Sequence, residues 1–207
     1  AGDDLFDLVF DIDPRVSYHA IMSLGKIGHP EAIDAIAEVL WTNDDTDKFL
    51  RHACVFALAR IGDRDALITL LGDAQPSVRL GALLALREMG DPAVAIALRD
   101  PDAFVAAEAA RAIHDAEIES AMPALANLAS GLVLDDTREG RSIGRRAIEA
   151  AARRGTPSDA AAVARIAVNS ESPGIIRLEA ARALATWADP GPRDRVTGRF
   201  RKMEPRS

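Results

Sequence analysis

Residues 78–90 read Val-Arg-Leu-Gly-Ala-Leu-Leu-Ala-Leu-Arg-Glu-Met-Gly. The first, fifth, ninth and twelfth residues of this stretch are apolar, and that spacing places them on one face of an α-helix. The closing glycine suits the left-handed backbone conformation that commonly ends a helix. The stretch therefore predicts an amphipathic helix that buries a single face.

The same pattern recurs along the chain. Its copies begin at Val16, Leu50, Val78, Val105, Ile143 and Ile176. The fifth residue is small in every copy: Ala20, Cys54, Ala82, Ala109, Ala147 and Ala180. The copies close with Gly28, Gly62, Gly90, Glu117, Gly155 and Ala188, so two of them lack the glycine. Successive copies start 27 to 38 residues apart, which is typical of solenoids built from helix pairs.

Shorter apolar stretches between the copies predict the second helix of each pair, at residues 31–40, 65–71, 93–98, 120–128 and 158–168. Hydrophobic residues make up 48% of the chain but aromatic residues only 4%, so most apolar side chains are helix-favouring rather than strand-favouring. We predict an all-α superhelical solenoid of about six helix pairs at residues 1–188. A basic, extended C-terminal tail is predicted at residues 189–207.

Several local features refine this prediction. Asp63 and Asp91 are predicted to cap two of the second helices, and residues 130–141 form a longer loop. Three apolar residues near helix starts are predicted hydrophobic staples: Phe49, Phe104 and Ile175. Residues 3–12 resemble a second helix without its partner, so we expect the chain to belong to a larger protein or assembly.

Charge and cysteine content exclude several functional classes. The net charge of −7 argues against a general nucleic-acid-binding protein, because phosphate affinity needs clustered Lys and Arg. The tail is basic, and we expect it to run extended across the last helix pair with its arginines paired to acidic residues of the body. No run of about 18 apolar residues occurs, so no membrane span is predicted. Cys54 is expected to be a small buried core residue rather than a reactive thiol.

The pattern Val-Arg-x-x-Ala-x-x-Ala-Leu-x-x-x-Gly resembles the short HEAT repeats first associated with phycobilisome lyases. The resemblance covers roughly residues 3 to 188 and implies scaffolding or binding more often than catalysis. A second resemblance covers residues 184–198, which are similar to the HEAT region of large secreted planctomycete-type bacterial proteins. In those proteins the array shares its chain with a dehydrogenase-like propeller and a haem-binding cytochrome c segment. This second resemblance implies a periplasmic or secreted location, and without it we expect a cytoplasmic one.

No catalytic residue, metal site or cofactor is predicted from the sequence. The four histidines are His19, His29, His52 and His114, none of them four residues from another His or Cys, and we expect them to be solvated or capping. HEAT-like hydroxylases carry iron on His-Glu dipeptides, and the chain contains none, nor the haem motif Cys-x-x-Cys-His. Arg51, Arg79 and Arg177 recur at one place in the repeat, where they would form an inter-repeat ladder with Asp residues or contact an anion.

We therefore predict a non-catalytic protein-interaction scaffold, as a fragment or subunit of a larger assembly, and not an enzyme. Its partner would be another protein or a neighbouring domain, with no role for nucleic acid, and the sequence leaves the oligomeric state open. The alternative is the HEAT module of a redox enzyme, or a bilin-lyase-like subunit.

Overall fold

The computed structural model describes residues 3–131, 135–201 and 203–206. The chain divides into two compact units, Ala1–Ala97 and Leu98–Ser207. Helices dominate both units, which confirms the predicted all-α solenoid of helix pairs. Among the described residues, no helix is both long enough and apolar enough to cross a membrane.

The described residues of the first unit form six α-helices: α1 Asp3–Val9, α2 Pro14–Ile27, α3 Ala32–Asn43, α4 Lys48–Ile61, α5 Arg64–Leu70 and α6 Pro76–Glu88. The first helix of each predicted pair, here called an A helix, is α2, α4 or α6. α1, α3 and α5 are the B helices. A 3-10 helix, Pro92–Arg99, continues into the second unit and replaces the α-helix predicted at residues 93–98. A 3-10 helix rises by about 2.0 Å per residue, whereas an α-helix rises by about 1.5 Å. A 3-10 helix therefore covers the same axial length with fewer residues.

The predicted buried face is present in the first unit. Leu24, Leu58 and Leu86 are fully buried, and so are the small residues one turn earlier in their helices. The A helices approach closely, since a Cβ atom built on Gly25 of α2 would lie 2.5 Å from the Cα atom of Ala57 in α4. Asp63 and Asp91 accept backbone N–H groups at the starts of their helices, which confirms both predicted caps.

The second unit contains α7 Ala103–Asp115, α8 Met122–Leu128, α9 Arg138–Arg154, α10 Pro157–Val168 and α11 Gly174–Ala185. Its A helices are α7, α9 and α11, and α9 packs against both of the others. α9 begins at Arg138, inside the loop predicted at residues 130–141. The helix starts there because the side chain of Thr137 accepts the N–H of Gly140 and caps its first turn. Residues 132–134 of that loop lie outside the described residues.

The predicted hydrophobic staples are wrong. A staple residue precedes the N-cap, but Phe49 follows its cap Asp47 by two residues, and Phe104 follows Asp102 in the same way. Ile175 also lies inside its helix. Phe49 is 79% exposed, so these side chains lie on the surface at the N-terminal ends of the A helices.

The C-terminal tail contains a tight turn instead of running extended throughout. The N–H of Gly198 donates to the carbonyl of Asp194 at 2.8 Å, and the N–H of Asp194 donates to the carbonyl of Arg199 at 2.9 Å. The single antiparallel bridge between Arg193 and Phe200 is the only β-type pairing in the part of the chain that the structure describes. The proposed domain boundary at residue 188 stays a prediction.

Candidate functional site

The clearest candidate site of the second unit is the edge at which its A helices end and its tail lies. The last carbonyl groups of a helix lack partners within the helix and carry its negative dipole end. Arg199 donates to the carbonyl of Asp115 at the end of α7, at 2.8 Å. Arg206 donates to the carbonyl of Ala152 in the last turn of α9 and, at 2.9 Å, to that of Trp187 just after α11. Two tail arginines therefore serve three successive helix ends.

The guanidinium group of Arg206 is enclosed by Trp187 on one side and Gly155 on the other. Its guanidinium carbon is 5.1 Å from the ring centre of Trp187, which adds a cation–π contact. On the other side it approaches Gly155, where a Cβ atom would lie 2.4 Å from Arg206 Nε. Gly155 also has a φ of 67°, so both its backbone conformation and the close arginine require glycine.

Asp194 of the tail turn is the centre of a buried network of charges. Its side chain is 1% exposed and accepts the N–H groups of Val196 and Thr197, which shape the turn. It also accepts a hydrogen bond from Arg153 Nη2 of α9 at 2.5 Å. Burial raises the pKa of Asp194, but hydrogen bonds from His114, Thr197 and Arg153 outweigh burial and hold the pKa far below its usual range. Asp194 is therefore a carboxylate.

His114, at the end of α7, lies between two carboxylates. Its Nδ1 is 2.7 Å from Asp115 Oδ1, its Nε2 is 3.1 Å from Asp194 Oδ2, and its side chain is fully buried. Burial lowers the pKa of His114, but the adjacent carboxylates of Asp115 and Asp194 outweigh burial and leave the pKa raised, although the nearby Arg153 charge opposes them. His114 thus brings the end of α7 within ion-pair distance of the tail. Arg146 completes the row with a bidentate contact to Asp115 at 3.1 and 2.7 Å.

A second buried pair and two outer pairs add to this network. Arg195 Nη2 is 2.8 Å from Glu149 Oε2, and burial raises the pKa of Glu149 despite that partner. At the outside, Arg201 pairs with Glu117 at 3.3 Å and with Glu119 at 2.5 Å. The predicted pairing of tail arginines with acidic residues of the body is thus confirmed for Arg195 and Arg201.

The position of the tail differs from the prediction. Instead of crossing the last helix pair alone, the tail reaches back to α7 and α9, because the carboxylates and helix ends that attract its arginines lie there. Beside it is a groove of about 420 Å³ whose lining includes Met122, Arg153 and Met203. The sequence analysis missed Asp194 and Arg153 entirely, and the only local signal was the adjacent pair His114-Asp115.

The three arginines singled out from the sequence each have partners within their own unit. Arg51 pairs with Asp45, before α4, and Arg79 donates to two carbonyl oxygens of the loop before α6, at 3.0 Å each. Arg177 of the second unit donates to a carbonyl of α10 at 3.3 Å. Each of them contacts the segment that precedes its own helix. The predicted ladder and the anion contacts stay predictions.

The remaining candidate residues are partly as predicted. Cys54 is fully buried, and burial raises the pKa of its thiol to about 12, which confirms a core residue. The prediction that the histidines are solvated or capping is wrong for His114, which is buried in the network. Across residues 3–131, 135–201 and 203–206, no three His, Cys, Asp or Glu side chains are grouped so that they could hold a metal ion.

Several known proteins are similar to the chain. It is 36% identical over 103 residues to deoxyhypusine hydroxylase from Gallus gallus, and the match covers 47% of this chain and 33% of that protein. The chain thus spans about a third of this relative. Among solved structures, an engineered protein aligns over 91% of this chain and 99% of its own, with 18% identity and a TM-score of 0.46. The structure of human deoxyhypusine hydroxylase in complex with glycerol aligns over 90% of this chain and 84% of its own, with 18% identity and a TM-score of 0.37.

The relative corrects one prediction. From the repeats we expected the chain not to be an enzyme. That expectation is contradicted, because the Gallus gallus relative is by name a hydroxylase. Helical repeats of this type therefore do not by themselves indicate a protein without catalytic activity.

The repeats themselves decide the family. A sequence profile described as HEAT repeats matches residues 1–48 and 43–113, which is more than half of the chain. The buried stripe and the helix pairs of both units agree with that match. The chain belongs to the HEAT-repeat family.

Proposed function

We propose that the chain is a protein-interaction scaffold that binds extended segments along the C-terminal ends of its A helices. The observation that carries this proposal is the tail itself. Arg199 and Arg206 hold the tail, with its tight turn at residues 194–199, against the carbonyl groups of successive helix ends. A repeat array presents a helix end at every repeat, so a bound segment can be held at several successive points.

Two kinds of contact give this edge different roles. Carbonyl groups accept an arginine from any segment that places one correctly, so they supply affinity without much sequence selection. The buried carboxylate of Asp194 lies between His114 and Arg153 and sets the register of the bound segment along the helix ends. A segment that lacks an acidic residue at this place would leave His114 and Arg153 buried with one carboxylate fewer.

A peptide supplied separately tests the proposal. In Asp194→Ala the tail should detach, and a synthetic peptide of residues 189–207 should bind in its place, as measured by calorimetry. The unaltered chain should bind the peptide at least about tenfold more weakly, because its own tail competes at an effective concentration of order millimolar. Asp189→Ala, which changes an exposed carboxylate, is the matched control and should behave like the unaltered chain. Absence of binding to all three proteins would contradict the proposal.

A hydroxylase role is the second candidate, favoured by the 36% identity over 103 residues to deoxyhypusine hydroxylase. Incubation of the chain with a deoxyhypusine-containing protein, followed by mass spectrometry for one added oxygen atom, tests it directly. The redox-module and bilin-lyase alternatives stay predictions, which covalent haem staining of a longer parent protein and chromophore transfer would test.

A further inference from the structure

A second surface of the same unit is lined by arginines. Arg138, Arg141 and Arg145 follow one another at spacings of three and four residues, so they share a face of α9. This face meets the start of α11 in a groove of about 390 Å³. The arginine groove is lined by these three arginines, Arg146, Ile175 and Glu179.

The arginines of the groove differ in how much of their hydrogen-bonding capacity the chain uses. Arg146 is fully engaged by Asp115 and Ser142. Arg141 has one contact, at 3.3 Å, with the exposed Asp136. Such exposed ion pairs contribute little to stability, so Arg141 can exchange this partner easily.

The other two arginines differ from each other. Arg145 is held from both sides, since its Nη2 donates to the carbonyl of Arg195 at 3.3 Å and its buried Nε lies 3.8 Å from Glu179. Arg138 is exposed and makes no hydrogen bond or ion pair within residues 3–131, 135–201 and 203–206. Arg138 and Arg141, one helical turn apart, thus have donors available on one face, and Arg145 adds its positive charge beside them.

We propose that the arginine groove binds an acidic peptide segment of a partner protein. Guanidinium groups bind carboxylates in a planar, bidentate geometry, and the groove already uses it between Arg146 and Asp115. Ile175, which is 43% exposed, gives a neighbouring apolar side chain of the peptide a surface to pack on. The inference deepens the proposed scaffold function by naming a class of partner, and it rests on that function.

The groove favours carboxylates over phosphate. Glu179 lies in the lining, and its charge repels a phosphate dianion about twice as strongly as a single carboxylate. The whole chain carries a net charge of −7, which disfavours long polyanions such as nucleic acids. A short acidic peptide places its carboxylates on the arginines and keeps the rest of its charge in solvent.

Fluorescence anisotropy with the full chain tests the inference. The probe is a labelled peptide of alternating glutamate and leucine, and inorganic phosphate and a lysine-leucine peptide are the competitors. The double substitution Arg138→Glu and Arg141→Glu should weaken binding by about tenfold or more. Arg165→Glu, a single charge reversal at an exposed position of α10, is the control and should change binding by less than about twofold. Circular dichroism confirms that all the variants fold, and Arg138→Gln with Arg141→Gln gives a milder pair.

Two results would overturn the inference: equal losses in the double variant and in the control, or displacement of the peptide by phosphate at matched ionic strength. If the peptide of residues 189–207 still binds Asp194→Ala while the acidic peptide binds nothing, only this inference fails. If neither peptide binds, the scaffold function fails with it.

Discussion

The two units end their A helices in different ways. In the first unit, Gly28 and Gly62 take φ values of 73° and 72°, and their N–H groups return to carbonyls of the same helix. In the second unit α9 ends in the same way at Gly155, but α7 is followed by Glu117, a non-glycine residue with a φ of 58°, and α11 has no left-handed residue at its cap. There the tail arginines reach helix-end carbonyls instead.

Both arrangements satisfy the same unpaired carbonyl groups, but they have different consequences. A glycine cap is local, so the helix end needs no other part of the chain. An arginine from a distant segment makes the helix end a binding surface, and its strength depends on every group that holds the segment. We therefore expect the second unit to be sensitive to substitutions in the tail.

The largest effect is expected from Asp194→Ala, which leaves Arg153 and His114 buried without their shared carboxylate. The loss of one partner from a buried charge network destabilises a protein by about 3–5 kcal/mol, and urea unfolding measures it. Trypsin should then cut the tail at Arg193–Arg201 rapidly. The control Asp189→Ala should stay within about 0.5 kcal/mol of the unaltered chain. A protected tail in Asp194→Ala would show that the network does not hold it.

A substitution in the core of the first unit should have a similar or slightly smaller effect. Leu58→Ala removes a fully buried side chain of the A-helix stripe, and the cavity should lower the free energy of unfolding by about 2–5 kcal/mol. Ile12, which is 100% exposed, gives the matched control, and Ile12→Ala should change stability by no more than about 0.5 kcal/mol. A loss below about 1 kcal/mol for Leu58→Ala would mean that the stripe is assigned to the wrong residues.

The pH dependence of stability should reflect the tail network. The raised pKa of His114 gives stability that is fully present below the ordinary histidine pKa, about 6.5, and is lost as pH rises through the raised value. The lowered pKa values of Asp115 and Asp194 give stability that is lost as pH falls. Glu149 affects stability in the opposite direction to the two aspartates, since a raised carboxyl pKa means that its ionisation opposes folding. Urea midpoints should therefore fall as the pH rises above the ordinary histidine pKa of about 6.5, and His114→Gln should reduce this fall. Equal slopes in both proteins would contradict the role of His114.

The smallest effect is expected from an exchange of the caps. Glu117→Gly removes the left-handed strain of a non-glycine residue and loses one partly exposed contact with Arg201, so stability should rise by up to about 1 kcal/mol. The reverse exchange in the first unit, Gly62→Ala, should lower stability by about 1 kcal/mol, although no neighbouring atom blocks its Cβ. Thermal denaturation distinguishes the two signs. A loss in Glu117→Gly would show that the ion pair outweighs the backbone strain.

The repeat pattern predicted the fold well because the spacing of its apolar residues indicates which face of each helix is buried. Leu24 and Leu86 lie where the stripe places them, and Cys54 takes the place of an alanine. The pattern failed at the helix ends. Ile27, at the twelfth position of its copy, is 58% exposed instead of buried. It also failed at residue 138, where a single threonine cap extends α9 beyond the repeat.

The candidate site was less predictable than the fold. The sequence showed that the tail is basic and that its arginines would find acidic partners, which holds for Arg195 and Arg201. It gave no sign that Asp194, an acidic residue of that basic tail, would be the most buried carboxylate of the network. Nor did it mark Arg138, Arg141 and Arg145 as a site, although their spacing was visible.

The sequence by itself determined which segments are helices and which face of each is buried, because residues three and four apart on a helix share one surface. Only the tertiary structure decided which charges meet. His114 and Asp194 lie far apart in the sequence, and a buried ion pair depends on distance in space and on exclusion of water. Neither condition produces a repeating pattern in the sequence. The tail-binding edge and the arginine groove are therefore seen only in the packed structure.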